Sequence, residues 1–577
     1  MDYEAIETQV LIIGAGAAGL RTAIELADHG VEALVVSKRT HGDAHTVMAA
    51  GGINAALRTR DEGDDWTLHA ADTLREGHFI CRSGAVELFA RRAPERILEL
   101  AEWGCPFERT DQGEIEQRYF GAHSYRRTCF VGDRTGKAVL ETLVKRADEV
   151  GVSTQDQVFI AEILVDDGHA VGAIGWDMQN SQALVFSANA VVLAAGGFSG
   201  LYQRHSSRAG ENTGDATGLG WSAGATIRDM EFVQFHPTGM VWPEGMEGQL
   251  VTEAVRAEGG RLYNARGERF MNDYAPDEME LAPRDVVARA IAMEIDEGRG
   301  TERDGVLLDI SHRDPEHLKQ RIPRMVERFL SLGIDISSEP MEVAPTAHYA
   351  MGGLKVDFAT GATSVDGLFA VGEATSGLHG ANRLGGNSLT ETVVFGQITG
   401  AHLVQWVGAR RRRPLDSDLV RARLDQKASL SRQKGQYRPE DIIAELRVLL
   451  ERHAGIVRSE DRLRRGLKQL TDLRQRAEDL RVFTTPGSTV FERICNLDFM
   501  LDSAEMILRA AELRRESRGA HFRVDFPDSD SVWRGSVVCR SNPENGIMLD
   551  REPADEPSEE VREALQRELH LDYHHLE

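Results

Sequence analysis

The run GAGAAG at positions 14–19 has the glycine spacing of a dinucleotide-binding turn. Gly14 allows the tight turn, Gly16 lets the backbone approach a pyrophosphate, and Gly19 lets a helix pack closely on a strand. Ala15 and Ala17 belong to the same turn. We therefore predict that these five residues bind the phosphates of a dinucleotide at the N-terminus of a helix.

The segments around this turn supply the strand–turn–helix–strand context that the motif requires. Residues 9–13 (QVLII) form an apolar run typical of a buried strand, residues 20–29 have helical periodicity, and residues 33–36 form a second apolar run. Ser37 and Lys38 follow, in place of the acidic residue that would bind the ribose of NAD. This weakens the case for NAD and leaves FAD open, so Ser37 and Lys38 are counted with the cofactor-binding residues.

His45 lies soon after this motif, within GDAHTVMAAGGINAAL at positions 42–57. Small residues let a ligand lie close to the backbone, and a flavin bound on the first motif would pass near this loop. The imidazole is then a nucleophile placed beside the cofactor. The alternative is an ordinary loop histidine, and the spacing alone does not decide between the two.

The composition is that of an acidic globular protein. The chain has 577 residues and a net charge of −25, which argues against a general nucleic-acid binder because phosphate backbones require a cationic surface. The five cysteines have no CxxC spacing, so we predict no metal site and no iron–sulfur cluster in this chain. An odd number of scattered cysteines also favours a reducing compartment. The acidic first residues do not match a signal peptide, and no apolar run is long enough to span a membrane.

The run AHTVMAAGGINAAL resembles the segment that carries the flavin in succinate dehydrogenase and fumarate reductase flavoproteins. Further blocks resemble the same family and follow its order: RTCFVGDRTGKAVLETL, NAVVLAAGGFSGLY, TGDATGLGWSAGATIRDMEFVQFHPTG, TEAVRAEGG, APRDVVARAI, APTAHYAMGG, VGEATSGLHGANRLGGNSLTETVVFG and ESRGAHFRVDFP. The likeness covers roughly residues 8–530. It implies an α/β fold with a Rossmann-like FAD-binding domain, an inserted α+β capping domain and a C-terminal helical domain.

The resemblance implies FAD as cofactor, bonded through a histidine to the flavin's 8α-methyl carbon. His45 stands at that position. An electron-poor histidyl flavin accepts electrons better from a weak reductant such as succinate, which gives the bond a chemical reason. Met48 and Ala50 depart from the family loop and are expected to affect flavin potential or attachment. The other implied cofactor contacts are Thr46, Gly51, Gly52, Asp215, Glu373, Asn387, Ser388 and Leu389.

The resemblance also implies succinate or fumarate as substrate. A doubly negative molecule needs donors at both ends. His236 and Thr252 are expected at one carboxylate, and His348 and Arg383 at the other. Arg383 has the strongest physical case, because a guanidinium fork meets a carboxylate through two parallel bonds.

Oxidation of succinate removes a hydride and a proton from adjacent carbons. By resemblance Arg284 handles the proton, with Glu253 and Arg256 as a relay to solvent. A free guanidinium stays protonated at neutral pH, so Arg284 is easier to accept as a positioned acid in the direction of fumarate reduction. A salt bridge from Arg284 to Asp285 or Glu253 is the structural alternative.

L-Aspartate oxidase is similar in fold and is the alternative function. Phe120, in YFGAHSY at 119–125, stands where that enzyme has a glutamate suited to the substrate's ammonium group. An ammonium buried without a counter-charge is costly. Phe120 and His45 together favour the succinate/fumarate branch. A non-catalytic flavin-binding module would have no need of Arg284, His236, His348 and Arg383 together.

The motif order predicts how the chain divides. We expect an FAD-binding domain in two parts, at residues 1–235 and 345–405, with a capping domain at 236–344 between them. A helical domain at 406–515 and a C-terminal tail region at 516–577 follow. From about residue 540 the charged tail is expected to be partly disordered apart from a short helix near 557–570.

Electrons must leave a chain that has no cluster ligands of its own. The family likeness therefore implies that the partners are an iron–sulfur subunit and membrane anchor subunits that bind quinone. It places the chain in the cytoplasm, peripheral on the inner face of the membrane through those partners. A free-standing fumarate reductase remains the alternative without partners.

Overall fold

The computed structural model describes residues 2–542 and 546–567 and confirms the predicted α/β class. Strand 9–13 begins earlier than predicted, at Tyr3, and the following helix starts directly after Gly16. The elements of the first part are β1 Tyr3–Ile13, α1 Ala17–Asp28, β2 Ala33–Ser37, β3 Ile53–Asn54, α2 Trp66–Glu76, α3 Ser83–Glu102, β4 Gln117–Arg118, β5 Thr128–Cys129, α4 Thr135–Glu149, β6 Ser153–Asp156, β7 Val158–Asp166, β8 His169–Asp177, β9 Gln182–Leu193, α5 Asp215–Ser222 and β10 Ile227–Arg228.

The next segment forms a smaller α+β unit with its own apolar core. Its elements are β11 Val233–Met240, α6 Glu253–Ala257, β12 Arg261–Tyr263, α7 Met271–Tyr274, α8 Arg284–Asp296, β13 Val306–Asp309, α9 Pro315–Arg321, α10 Pro323–Ser331 and β14 Met341–Ala350. The four strands form one sheet in the order β11-β14-β13-β12. Strands β11 and β14 lead into and out of this unit, so residues on them sit at its junction with the rest of the chain.

The chain then returns to the first part through β15 Gly353–Lys355, β16 Leu368–Ala370, β17 Thr375–Ser376 and the long helix α11 Asn387–Gly408. Strand β16 pairs with β9 in a seven-stranded sheet whose main order is β6-β2-β1-β9-β8-β7. The pairs among β6, β2, β1, β9 and β16 are parallel. Helices α1 and α11 pack against this sheet, so its parallel strands are buried and apolar. Both helices begin at the same edge of the sheet.

The C-terminal third is mainly helical. It contains α12 Ser417–Ser429, β18 Arg432–Lys434, α13 Pro439–Ala454, β19 Val457–Arg458, α14 Glu460–Ala477, β20 Arg481–Phe483, α15 Thr489–Leu513 and β21 Phe522–Arg523. Short 3-10 helices elsewhere span His45–Met48, Ser199–Leu201, Met279–Leu281, Gly372–Ala374 and Ser531–Trp533. Within the described ranges, none of the helices combines the length and the apolar character that crossing a bilayer requires.

The expected disorder from about residue 540 is wrong for the hairpin that ends at Pro553, whereas the short helix predicted near 557–570 is present as Glu559–Gln566. Strands β22 Gly535–Asn542 and β23 Gly546–Pro553 form a hairpin at the edge of a five-stranded sheet, and α16 Glu559–Gln566 follows. Accessibility alternates along the first part of β23, where Ile547 and Leu549 pack against the core and Met548 and Asp550 are exposed, so a segment that is polar on average still has one face that packs. Residues 568–577, which hold the last part of the predicted helix, lie outside the described residues.

Candidate active site

A cavity of about 1110 Å³ runs from the glycine-rich turn to the α+β unit. It is lined by the N-termini of α1 and α11, by the loop at 44–52 and by the segment at 118–123. Neither Gly16 nor Gly386, the N-cap residues of these helices, supplies a capping side chain. Two helix N-termini with accessible amides are favourable neighbours for negatively charged groups.

The glycine-rich turn is shaped as the motif predicts. Gly14 has φ of +118°, and a Cβ there would lie 2.3 Å from Ala194 O, so only glycine fits. A Cβ on Gly19 would lie 2.0 Å from Gly14 O, which shows how closely helix and turn approach. Gly14, Ala15, Gly16 and Ala17 line the cavity, whereas Gly19 acts through this packing.

Ser37, Lys38 and Asp215 line the same end of the cavity. Lys38 Nζ forms ion pairs with Asp215 at 2.7 Å and with Glu492 at 3.0 Å. The Ser37 hydroxyl donates to the carbonyl of Arg39. The Asp215 carboxylate is therefore already held by a lysine while it faces the region assigned to the cofactor.

His45 lines the middle of the cavity, and its Nδ1 lies 3.3 Å from Glu211 Oε2. Burial would raise the pKa of Glu211, but hydrogen bonds from His45 and Arg208 lower it to about 2. Glu211 is thus a carboxylate at neutral pH and accepts a hydrogen bond from the Nδ1–H of His45. In this tautomer the lone pair of the ring is on Nε2. Thr46 Oγ accepts from the Ala17 amide at 3.2 Å, which ties this loop to the start of α1.

Phe120 packs against two glycines that are distant in the sequence. A Cβ on Gly51 would lie 2.6 Å from its ring, and a Cβ on Gly385 would lie 2.2 Å from it. Gly52 has φ of +132° and would clash with Thr128 if it had a side chain. The guanidinium of Arg284 lies 5.3 Å from the centre of the Phe120 ring.

The remaining predicted cofactor contacts divide into two groups. Glu373, Ser388 and Leu389 line the cavity, and Glu373 Oε1 accepts from the Ala350 amide at 3.0 Å. Burial raises the pKa of Glu373. The Asn387 side chain is directed away, into hydrogen bonds with Asn54, His69 and Thr73. Its contribution is to fix the start of α11.

Arg383, His236 and His348 lie together at the other end of the cavity. The two imidazole rings are 5.8 Å apart, and Arg383 lies over the Tyr349 ring at 4.5 Å. Burial, aided by the charge of a nearby arginine, lowers the pKa of both histidines well below its ordinary value. Both rings are therefore neutral and act as hydrogen-bonding groups, not as charges.

The bonding partners of the histidines fix what each can offer. His236 Nδ1 accepts from the Thr238 amide at 3.3 Å, so the ring hydrogen is on Nε2. His348 Nδ1 lies 2.9 Å from Ser206 Oγ. Thr252 Oγ accepts from the Ala254 amide at 3.1 Å as the N-cap of α6, and its own hydroxyl hydrogen is left to donate.

Arg284, Glu253 and Arg256 form a connected group beside the same end. Arg284 Nε donates to Glu253 Oε2 at 2.8 Å, and Arg256 Nη2 lies 3.8 Å from the same oxygen. Burial would raise the pKa of Glu253, but the two arginines lower it. Burial lowers the pKa of Arg256, opposed by Glu253 and aided by Arg284. The salt bridge between Arg284 and Glu253, which was the structural alternative for Arg284, is present and connects these three side chains.

Comparison with known proteins identifies this arrangement. A family model described as an FAD binding domain matches residues 9–389, and one described as the fumarate reductase flavoprotein C-terminus matches residues 443–563. One subunit of the fumarate reductase (CoM/CoB) of Methanothermobacter marburgensis is 43% identical over 93% of this chain and 98% of its own length. The chain belongs to the succinate dehydrogenase/fumarate reductase flavoprotein family.

Other members agree in sequence and in structure. The succinate dehydrogenase flavoprotein subunit of Rickettsia bellii is 36% identical, with 94% of each chain covered. The structure of Mycobacterium smegmatis Sdh1 in complex with UQ1 superposes with a TM-score of 0.88 at 39% identity, covering 96% of this chain and 95% of that one. The chain is thus an FAD-dependent oxidoreductase of this family, and the family supports the main interpretation over aspartate oxidase.

Sequence reasoning missed Glu211, which lines the flavoprotein's cavity, and Gln234 and Glu76, which are linked to Arg383 by hydrogen bonds. Gln234 precedes His236 by two residues on β11, so strand periodicity could have placed both on one face. Glu211 and Glu76 gave no such signal, because their partners are distant in the sequence.

Proposed function

We propose that this flavoprotein interconverts succinate and fumarate. The observation that supports it is an excess of buried cationic groups: among the described residues, Arg383 has no carboxylate within salt-bridge distance and its Nε has no partner. Burial, reinforced by Arg284, lowers the pKa of Arg383 to about 10, so the group remains charged at neutral pH. A dicarboxylate would supply the missing negative charge.

The residues can divide the work of binding. Arg383 would take one carboxylate as a bidentate fork, with His348 beside it. The Nε2–H of His236 and the hydroxyl of Thr252 would donate to the other. Phe120 would cover the uncharged middle of the substrate and exclude water. FAD bound in the cavity would supply the hydride acceptor.

Arg284 would move the proton. Its Nε is held by Glu253, so the guanidinium is oriented as well as charged. In the direction of fumarate reduction it donates a proton to the substrate carbon and regains one along Glu253 and Arg256. Succinate oxidation runs the same path in reverse. Arg256, with two buried nitrogens lacking hydrogen bonds, is a suitable intermediate member of this path.

Turnover with purified holoenzyme tests the function. Succinate with an artificial electron acceptor is expected to give a kcat/KM on the order of 10³-fold above that for L-aspartate, because Phe120 stands where an ammonium-binding glutamate would be and the nearby Glu253 carboxylate is already paired with Arg284. Fumarate with a reduced dye tests the opposite direction. Comparable turnover of aspartate, or none with any dicarboxylate, would contradict the proposal.

We further propose that FAD is covalently attached through His45. The hydrogen bond from Nδ1 to the Glu211 carboxylate leaves Nε2 as the nucleophilic nitrogen, and this supports the role. Acid precipitation is expected to retain flavin in the wild-type pellet and release it from His45→Ser. Glu211→Gln is expected to reduce the covalent fraction about tenfold, the typical effect of losing such an orienting partner. Release of all flavin from folded, flavin-loaded wild-type protein would overturn covalent attachment.

Partner subunits are also proposed. No group of metal-ligating side chains suited to a cluster occurs in the described part of the chain, and its five cysteines are buried and unpaired. The relatives are themselves named as subunits. We propose an iron–sulfur subunit for electron exit and quinone-binding anchor subunits that hold the protein on the inner face of the membrane. Affinity purification from native cells that yields no iron–sulfur protein would contradict this assembly.

A further inference from the structure

A line of hydrogen bonds runs from Glu76, at the end of α2, to Arg383. Glu76 Oε1 accepts from Asn382 Nδ2 at 2.7 Å. Asn382 Oδ1 accepts from Gln234 Nε2 at 2.7 Å, and Gln234 Oε1 accepts from Arg383 Nη2 at 2.9 Å. The last three side chains are almost fully buried. Each amide uses its NH₂ on one neighbour and its oxygen on the next, so the orientations of the two amides depend on each other, and Gln234 Nε2 also donates to the Arg383 carbonyl at 2.9 Å.

The direction of this line matters for Arg383. If the Asn382 amide turned over, its NH₂ would face the NH₂ of Gln234, donor against donor. Because Gln234 Nε2 also donates to the Arg383 carbonyl at 2.9 Å, the flip would either displace the Gln234 side chain or turn its amide against the Arg383 guanidinium. Glu76 prevents this because a carboxyl oxygen offers the Asn382 NH₂ an acceptor. Arg383 makes no bond to a carboxylate in the described residues, so the Gln234 amide is a main restraint on the position of its guanidinium.

Glu76 is suited to this task because it is uncharged at neutral pH. Burial raises its pKa to about 8, and Asp285 on α8 and Glu253 on α6 act in the same direction. Arg284 and Arg383 oppose them. A protonated carboxyl still accepts a hydrogen bond at its carbonyl oxygen. It does not place a second anion where it would compete with a substrate carboxylate for the arginines.

We propose that Glu76 is a positioning residue that holds Arg383 ready for a substrate carboxylate, through Asn382 and Gln234. The inference rests on the proposed function, because it takes Arg383 to bind the dicarboxylate. It predicts a loss of substrate affinity, with little loss of turnover, when the line is broken at Glu76. It also predicts weaker binding when Glu76 ionises, since the anion would draw the guanidinium groups toward itself.

Steady-state kinetics of three holoenzyme variants test the inference. Glu76→Ala is expected to raise KM for succinate about five- to tenfold, as for one lost buried hydrogen bond, with kcat within about twofold of wild type. Glu76→Gln keeps the acceptor oxygen and is expected to match wild type at pH 7. Above pH 8 the wild-type KM should rise, and that of Glu76→Gln should not follow it. Glu102→Ala, an exposed glutamate at the end of α3, is the matched control.

The outcomes separate the inference from the function on which it rests. If Glu76→Ala keeps the kcat and the KM of the wild type, the inference is overturned and the proposed function is not affected. A wild-type protein that neither turns over nor binds succinate would overturn the function and the inference with it. If Glu76→Ala fails to bind flavin, the pH profile of Glu76→Gln decides, and a KM that still rises with the wild type above pH 8 would overturn the inference.

Discussion

Replacing Arg284 by glutamine is expected to lower kcat for succinate oxidation by about 10²- to 10⁴-fold, the range for loss of a positioned acid or base. Glutamine can still donate a hydrogen bond, but it cannot deliver a proton to carbon. Arg284 Nε donates to Glu253, and its guanidinium lies over Phe120. The variant therefore also loses the hydrogen bond that orients the Glu253 carboxylate. Stopped-flow reduction of the bound flavin by succinate measures the chemical step directly.

The control for this variant lies on the same helix. Arg289 is also on α8, and its guanidinium lies 5.1 Å over the Phe522 ring, away from the cavity. Arg289→Gln is expected to keep kcat within about twofold of wild type, as for a residue outside the reaction path. A dicarboxylate titration of the flavin absorbance separates binding from chemistry. If Arg284→Gln retained kcat within tenfold of wild type while binding succinate, the proton would have to travel by another route.

The cofactor end of the site could be predicted from local sequence. Neither Gly14 nor Gly19 has space for a Cβ. The atoms that exclude it belong to Gly14, a few residues before Gly19, and to Ala194, at the end of the neighbouring strand. Such constraints leave a spacing that can be read without a structure. The strand, turn and helix around them follow from the same short segment.

The substrate end depends on contacts between distant segments. Arg383 and His236 were predicted only because their motifs resemble a known family, since neither local pattern distinguishes a ligand from an ordinary buried residue. Glu76 had no motif at all, and its bond to Asn382 joins positions 306 residues apart. Position in the fold, not residue type, gives such a side chain its role.

The tail illustrates the opposite error. Its high charge suggested disorder, yet Ile547 and Leu549 of β23 pack against the core beside β22. The average composition of a segment does not show the two-residue alternation of a strand, because every second side chain of an edge strand can face solvent and be charged. A buried arginine attaches the residues before this hairpin, because it binds a glutamate that precedes β11 and carbonyls at the start of β22.

Arg514, directly after α15, is that arginine, and its replacement by methionine is expected to destabilise the protein by about 3–5 kcal/mol. Its Nε donates to Glu231 at 2.7 Å and its Nη1 to Glu516 at 2.9 Å, and all three side chains are fully buried. Nη1 and Nη2 also donate to the carbonyls of Trp533 and Gly535. Methionine fills similar volume but leaves the buried Glu231 without its ion-pair partner and Glu516 with Arg518 alone.

Urea unfolding followed by tryptophan fluorescence measures the loss, and Arg509→Met on the same helix is its control. Arg509 is half-exposed and bonds Glu505 at 2.7 Å, an exposed pair whose removal is expected to cost less than about 1 kcal/mol. Equal stability of the two variants at pH 7 would show that the ion pair of Arg514 with Glu231 is not needed to attach the C-terminal segments to the segment that precedes β11.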